Sequence, residues 1–283
     1  MNAQFLHQEA QLFTSSGSVL SSEQQTQLAN SLTITKHNNK FSKIFFWGKI
    51  YGIKEDYLIA QGISGSDELT ERTNLYSVTG NDWHLLATPD AKSQEDALKI
   101  RGRFIGDPMH EYEQHDVTNN GETSEETTLQ VKEEARLAAV VLKIDQEAMI
   151  VPRGAYLRSP AGIVSRNQSF AGLSTNEVGN LENWLHFSGP VKLPSKSLLE
   201  KADLAAPIDF LNQASNDVPN KSSWSIQEES GPGVDVVQYK LRSLHWPGAE
   251  ACHIPSTGQF ARSYFGDGLK NINLPFMLPS QSA

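Results

Sequence analysis

The chain has 283 residues, with 24 Lys and Arg against 33 Asp and Glu and a formal net charge of −9. That length gives one large or two modest domains and buries roughly three quarters of the unfolded surface, so no disulfide or metal is needed to hold a core. The acidic balance argues against nucleic acid or an anionic membrane as main partner, the lone Cys252 excludes an intrachain disulfide and fits a reducing compartment, and no run of about 20 apolar residues is present to span a membrane.

Residues 1–19 read as loosely packed, with a short helix around 5–13; Gln4, His7, Gln8 and Glu9 break up any signal-peptide core. Ser21 and Ser22 stand three residues before Gln24 and Gln25, and Leu28 and Leu32 follow one turn apart, which predicts a capped amphipathic helix over 22–34. Residues 41–63, FSKIFFWGKIYGIKEDYLIAQGI, are the most strand-like stretch. They predict a hairpin broken at Glu55 and Asp56. Both side-chain parities are apolar over 44–47, which sets the first arm well inside a sheet, with the preceding helix packed across it. Short strands are expected at 75–78 and 83–86 around the Gly80-Asn81 turn, a short helix over 91–100, and an extended segment over 99–106 that Asp107-Pro108 stops.

Residues 116–128 are polar and acidic and predict an exposed, partly mobile loop within a single domain spanning 1–283. Over 129–146, Leu137, Val141 and Ile144 fall at i, i+4 and i+7 behind Glu133 and Glu134, the clearest helical pattern in the chain. Strands are expected at 149–151, ended by Pro152, and at 155–157. Ser174-Thr-Asn-Glu177 has capping-box form and opens a helix expected over 175–186, and residues 197–213 hold helix-like pieces interrupted at Pro207. Strand patterns at 224–227, 234–244, 251–254 and 260–265 are punctuated by glycine and proline turns, the rhythm of an antiparallel meander. The apolar tail 274–278 is expected to dock. The fold class is therefore α+β, predominantly antiparallel β-sheet with packed helices and a C-terminal β-meander.

No catalytic, cofactor or metal site emerges from the residues. Gly102-Arg-Phe-Ile-Gly106-Asp107 lacks the Lys-Ser/Thr of a phosphate loop and reads as a strand-end turn. His110 and His115 are five apart, on different helical faces, and read as solvated. No G-x-S-x-G elbow occurs. The pairs Glu133/Glu134 and Asp203/Asp209 read as helix-end or surface charge, and Cys252 beside His253 as a small buried residue. Trp246 stands at a strand end before Pro247-Gly248, where a large ring is often partly exposed; it reads either as locally packed, the favoured reading, or as part of a partner interface. With Arg242 it marks a candidate partner interface of Arg242, Trp246, Pro247 and Gly248.

Collinear segments over roughly four fifths of the chain resemble the radial spoke head proteins of motile cilia and flagella. They include Phe45-Phe-Trp-Gly-Lys-Ile50, Asp56-Tyr-Leu-Ile-Ala-Gln-Gly62, residues 99–108 with Glu111-Tyr-Glu113, and Val131-Lys-Glu-Glu-Ala-Arg-Leu137. Further on come Val151-Pro-Arg-Gly-Ala155, residues 198–204, Ser223-Trp-Ser-Ile-Gln227, Leu241-Arg-Ser-Leu-His-Trp-Pro-Gly248 and Asn273-Leu-Pro-Phe-Met-Leu278. Some pieces also look like the larger four/six-type head paralogues, but their acidic tail is absent. The resemblance implies a non-enzymatic subunit of the axonemal spoke head, which helps assemble the head and transmits central-pair signals towards the dynein arms. It implies four/six-type paralogues, the spoke scaffold subunit and MORN-repeat head subunits as neighbours, possible contact with central-pair projections, and no cofactor. From the residues alone, two other classes stay open: an enzyme or ligand-binding protein with a deep apolar pocket, and a self-associating scaffold.

Overall fold

The computed structural model describes residues 1–14, 17, 20–120, 123–189, 197–202, 204–219, 222–230 and 237–277; of residues 114–120, 123–129 and 200 only the backbone is described. The chain opens with α1 (Leu6–Gln11) and α2 (Ser22–Asn38). Ser21 and Gln24 close the expected capping box, and α2 runs past 34 because Thr35 extends the buried stripe of Leu28, Ser31 and Leu32. Ser21→Ala should cost about 1 kcal/mol, read as a lower urea midpoint at unchanged slope.

The hairpin follows as β1 (Lys43–Ile50) and β2 (Tyr57–Ile63), continued by β3 (Arg72–Ser77), β4 (His84–Leu86) and α3 (Ala91–Lys99). Residues 99–106 form no strand ladder; a single parallel bridge joins Phe104 to Gly52. Next come β5 (Glu111–Asn120), β6 (Thr123–Lys132) and α4 (Glu133–Glu147). Two expectations are corrected here. The stretch read as a loop over 116–128 is paired backbone, an unbroken antiparallel ladder from Glu111↔Lys132 to Asn120↔Thr123, with 121–122 outside the described residues. Its valine and threonines, suited to strand, outweigh its polarity. The helix expected from 129 starts at Glu133, because residues 129–132 belong to that ladder and the Glu133 amide donates to the His110 carbonyl at 2.8 Å.

The short strands β7 (Ile150–Pro152), β8 (Tyr156–Arg158) and β9 (Val164–Arg166) precede α5 (Thr175–Val178) and β10 (Trp184–His186). The Ser174 capping box is present, but the helix expected over 175–186 stops at Val178. Trp184–His186 instead pair antiparallel with Ile150–Pro152. After α6 (Leu198–Ala202), β11 (Trp224–Ser230), β12 (Val237–Ser243), β13 (Ala249–His253) and β14 (Phe260–Gly266) form the expected meander, and α7 (Leu274–Met277) follows it.

One eight-stranded sheet unites both halves in the order β11-β12-β13-β14-β1-β2-β3-β4. Every neighbouring pair is antiparallel except the central one, β1 with β14, which is parallel. On one face Ile44, Phe46, Leu58, Ala60 and Leu75 pack with Leu6 of α1 and with Leu28 and Leu32 of α2. On the other, Trp47, Ile50, Tyr57, Ile59 and Tyr76 pack with Leu137, Val141 and Ile144 of α4 and with Trp184. Thus β1 is buried on both sides, as its run of apolar residues predicts. A bulge between Phe46 and Gly48 inserts Trp47 and resets the parity, so that Ile50 faces α4 rather than α2.

Candidate functional site

A dense polar cluster surrounds Glu133 at the start of α4. Its side chain is fully buried, with 0% exposure. Oε1 accepts from the Tyr57 hydroxyl at 2.6 Å and the Gly106 and Asp107 amides at 2.7 and 3.1 Å. Oε2 accepts from the Tyr112 hydroxyl at 2.5 Å and the Ile105 amide at 2.9 Å. Burial alone would raise its pKa. The hydrogen bonds from Tyr112, Tyr57, Ile105 and Gly106 outweigh burial and hold the carboxyl below its ordinary value. The same contacts act on the donors: burial and Glu133 push the Tyr112 hydroxyl up to about 12. One turn on, buried Arg136 donates to the Tyr112 hydroxyl at 3.0 Å and to the Gly102 carbonyl, with its guanidinium 4.3 Å from the Phe104 ring centroid.

This arrangement corrects the reading of Glu133 as surface charge. The turn at 105–107 does clasp an anion with its backbone amides, but the anion is the chain's own carboxylate. With five donors bound and no exposure, Glu133 ties β2, the 105–107 turn and β5 to α4; it is a structural anchor, not a free acid or base. Asp209 also departs from the surface reading: it is buried and holds Arg153 through two bonds of 2.5 and 2.7 Å. Asp203 and the side chain of His115 lie outside the described residues. His110 packs edge-on against Tyr112, with centroids 4.8 Å apart. Cys252 is buried as expected, its sulfur 3.5 Å from the Leu12 carbonyl oxygen, and burial pushes its thiol up. Among the described residues no three His, Cys, Asp or Glu side chains gather as metal ligands.

Sequence reasoning also missed Asp145. This buried carboxylate accepts from Trp47 Nε1 at 3.1 Å, Gln61 Nε2 at 3.1 Å and Arg72 Nη1 at 2.7 Å, binding β1, β2 and β3 to α4. The sole sequence signal was an acidic residue on the apolar stripe next to Ile144.

The predicted interface residues occupy the turn between β12 and β13 and the strand before it. Trp246 is not partly exposed: it is only 2% accessible, and its Nε1 donates to Glu147 at 2.8 Å, joining the meander to the end of α4. Its ring turns inward because both the apolar face and the N–H find partners there. Arg242 is half-buried and pairs with Glu250 at 2.9 Å, the Gly248 carbonyl accepts from the Phe265 amide at 2.8 Å, and Pro247 is exposed. Trp246→Phe should therefore cost about 1.5–3 kcal/mol through the lost bond to Glu147, seen as a lower melting temperature with no change in far-UV spectrum.

Beside this turn lies an apolar surface. The expected docking of the 274–278 tail holds only for Leu274, which is buried; Phe276 and Met277 are 88% and 65% exposed, and residue 278 is outside the described residues. Asn271 places them next to the meander, its amide donating to the His245 carbonyl at 2.7 Å and its side chain lying 3.7 Å from the Met277 sulfur. His245 reaches the carbonyl of exposed Val218 at 2.8 Å, and Ile272 is exposed nearby in sequence.

A family model described as radial spokehead-like protein matches residues 1–156. Across the whole chain, the radial spoke head protein 9 homolog of Danio rerio is 48% identical over 283 residues, covering 98% of this chain and 100% of its own length. The homologs of the same name from Bos taurus and Homo sapiens are each 41% identical over 282 residues at the same coverage. The chain belongs to the radial spoke head family. That family is not one of enzymes; its members are components of the radial spoke heads of ciliary and flagellar axonemes. The α+β fold, the central hairpin and the meander are thus the architecture of a spoke head protein, whose layers join through apolar packing on both sheet faces and through the buried Glu133 and Asp145 networks that link α4 to the strands.

Proposed function

We propose that the chain is a non-enzymatic assembly subunit of the radial spoke head that stiffens the head and passes central-pair signals towards the dynein arms. The observation carrying this reading is the relation to spoke head proteins along 98% of the chain, from the N-terminal helices through the C-terminal meander. A sheet sealed by helices on both faces and pinned by buried carboxylates suits a part that bears load. The partners of this reading are the four/six-type paralogues, the spoke scaffold subunit and the MORN-repeat head subunits, with contact to central-pair projections as a further expectation.

The exposed apolar surface of Val218, Phe276 and Met277, with Pro247, Gly248 and Arg242 alongside, supports contact with a four/six-type paralogue at this end of the molecule. Trp246 acts as its buried footing rather than as a contact. The experiment is affinity purification of the tagged chain from ciliated cells, wild type beside Phe276→Asp/Met277→Asp. Both side chains face solvent, so folding stability should change by no more than about 0.5 kcal/mol, while recovery of the paralogue falls severalfold. Failure of the wild-type chain to recover any spoke subunit from solubilised axonemes overturns the assembly reading; undiminished recovery by the variant overturns only the placement.

A further inference from the structure

The chain is acidic overall, yet two of its guanidinium groups line one internal cavity without an ion-pair partner among the described residues. The cavity is small, about 40 Å³, and Arg72, Arg166, Arg262, Glu9 and Glu68 all border it. Arg72 is spoken for by Asp145. Glu68 is engaged by Lys43 at 2.6 Å and by the Arg166 amide at 3.3 Å, and Glu9 by the Asn2 amide at 2.7 Å. Arg262, in β14, lies over the Phe187 ring, its Cζ 4.2 Å from the ring centroid, with Nη1 enclosed and without a hydrogen bond among the described residues. Arg166, in β9, lies over the Phe260 ring at 4.7 Å, and among the described residues its guanidinium reaches only the Gly258 carbonyl, at 3.4 Å. Burial pulls the Arg262 guanidinium below its ordinary range, and the nearby Tyr156, Asp145 and Glu68 offset that only in part.

The cavity adjoins a surface groove of about 810 Å³ that shares Asn2, Glu9, Phe45, Glu68, Arg166 and Phe260 with it. Amides of Gln8, Gln168 and Gln259 and the rings of Phe5 and Phe170 line the groove. Side-chain amides pair with an extended backbone and rings cover its side chains, whereas the inner cavity admits a group no larger than a carboxylate. Guanidinium is the side chain best matched to that group, through paired N–H donors.

We infer that the groove binds an extended acidic peptide segment of a partner chain, one of whose Asp or Glu carboxylates enters the cavity and pairs with Arg262 and Arg166. The site is distinct from the apolar surface at α7 and does not depend on the assembly reading, so the two fail separately.

The test uses the full chain, with the peptides acetyl-Gly-Glu-Gly-amide and acetyl-Gly-Gln-Gly-amide and inorganic phosphate as probes. Arginine Nε–H resonances are followed by NMR. The glutamyl peptide should shift the Arg262 and Arg166 signals saturably and bind about tenfold tighter than the glutaminyl one, a difference that one carboxylate–guanidinium pair supplies. Arg262→Met should erase that preference with an unchanged circular dichroism spectrum; if that variant does not fold, Arg166→Met at the rim carries the same reading. Equal binding of the two peptides, or a preference that survives loss of the arginine, overturns the inference. Binding of phosphate in place of the glutamyl peptide overturns the peptide occupant.

Discussion

Gly48→Ala is expected to yield a chain that fails to accumulate in soluble form. Gly48 sits where β1 crosses from the bulge into its parallel pairing with Tyr264 of β14, the strand pairing that joins β1–β4 to the meander among the described residues. A Cβ there would lie 2.1 Å from the Tyr264 carbonyl oxygen and 2.8 Å from its nitrogen. Both are backbone atoms of a ladder strand, so no rotamer change relieves the overlap. Relief requires β1 and β14 to part, and with them the halves of the core. We expect a loss above about 4 kcal/mol, in the range reserved for disrupted cores, against a total stability of about 5–15 kcal/mol. Gly102→Ala is the matched control. Its backbone also has positive φ, +107°, but nothing lies within 4 Å of the added carbon, so only the conformational term of about 1–2 kcal/mol applies. Soluble yield of the two variants decides the matter, with thermal unfolding of whatever soluble Gly48→Ala is recovered. Gly48→Ala melting at or above Gly102→Ala would show that the parallel pair tolerates separation.

Why Gly48 matters was not readable from the sequence, although the hairpin containing it was. Local pattern sufficed wherever neighbours in the chain decide the outcome. The apolar run of β1, the break at Glu55-Asp56, the Ser21–Gln24 box and the turns of the meander all recur in the structure. It failed where a distant partner decides. Residues 129–132 look helical because they precede a strong helix, but their partners are residues 111–114 on β5. Trp184 and Leu185 fit a helical stripe, but pair with β7 instead. Glu133 looked like surface charge because helix starts favour acids; its five donors come from residues 57, 105–107 and 112, scattered over three elements. The turn after Trp246 left local packing and an exposed ring both open, and Glu147, on the far helix, decides between them by fixing the indole inside. The candidate surface was legible only as a segment: which of its side chains face outward depends on packing that sequence does not display, as buried Trp246 beside exposed Pro247 shows.

Glu133→Gln is the second large effect we expect. The amide keeps the shape but loses the charge, and it sets an NH₂ against donors that have nowhere else to turn. Two hydroxyls and three amides then share one acceptor oxygen instead of two. Breaking a buried charge network of this kind costs about 3–5 kcal/mol, whereas Tyr57→Phe, which removes one donor, should cost about 1.5–3 kcal/mol. The pH dependence separates the charge from the shape. The folded carboxyl titrates below the ordinary glutamate value of 4.5. Its contribution is therefore complete above that value and is lost as pH falls through the lower, folded one. The stability gap between wild type and Glu133→Gln, measured by urea unfolding, should stay constant from neutral pH down to about 5 and narrow below 4.5 as the unfolded state takes up the proton. A gap that remained constant through that range would mean that the clasp acts by shape alone. A gap below about 1 kcal/mol at neutral pH would mean that water replaces the lost acceptor and that Glu133 does not anchor the layers.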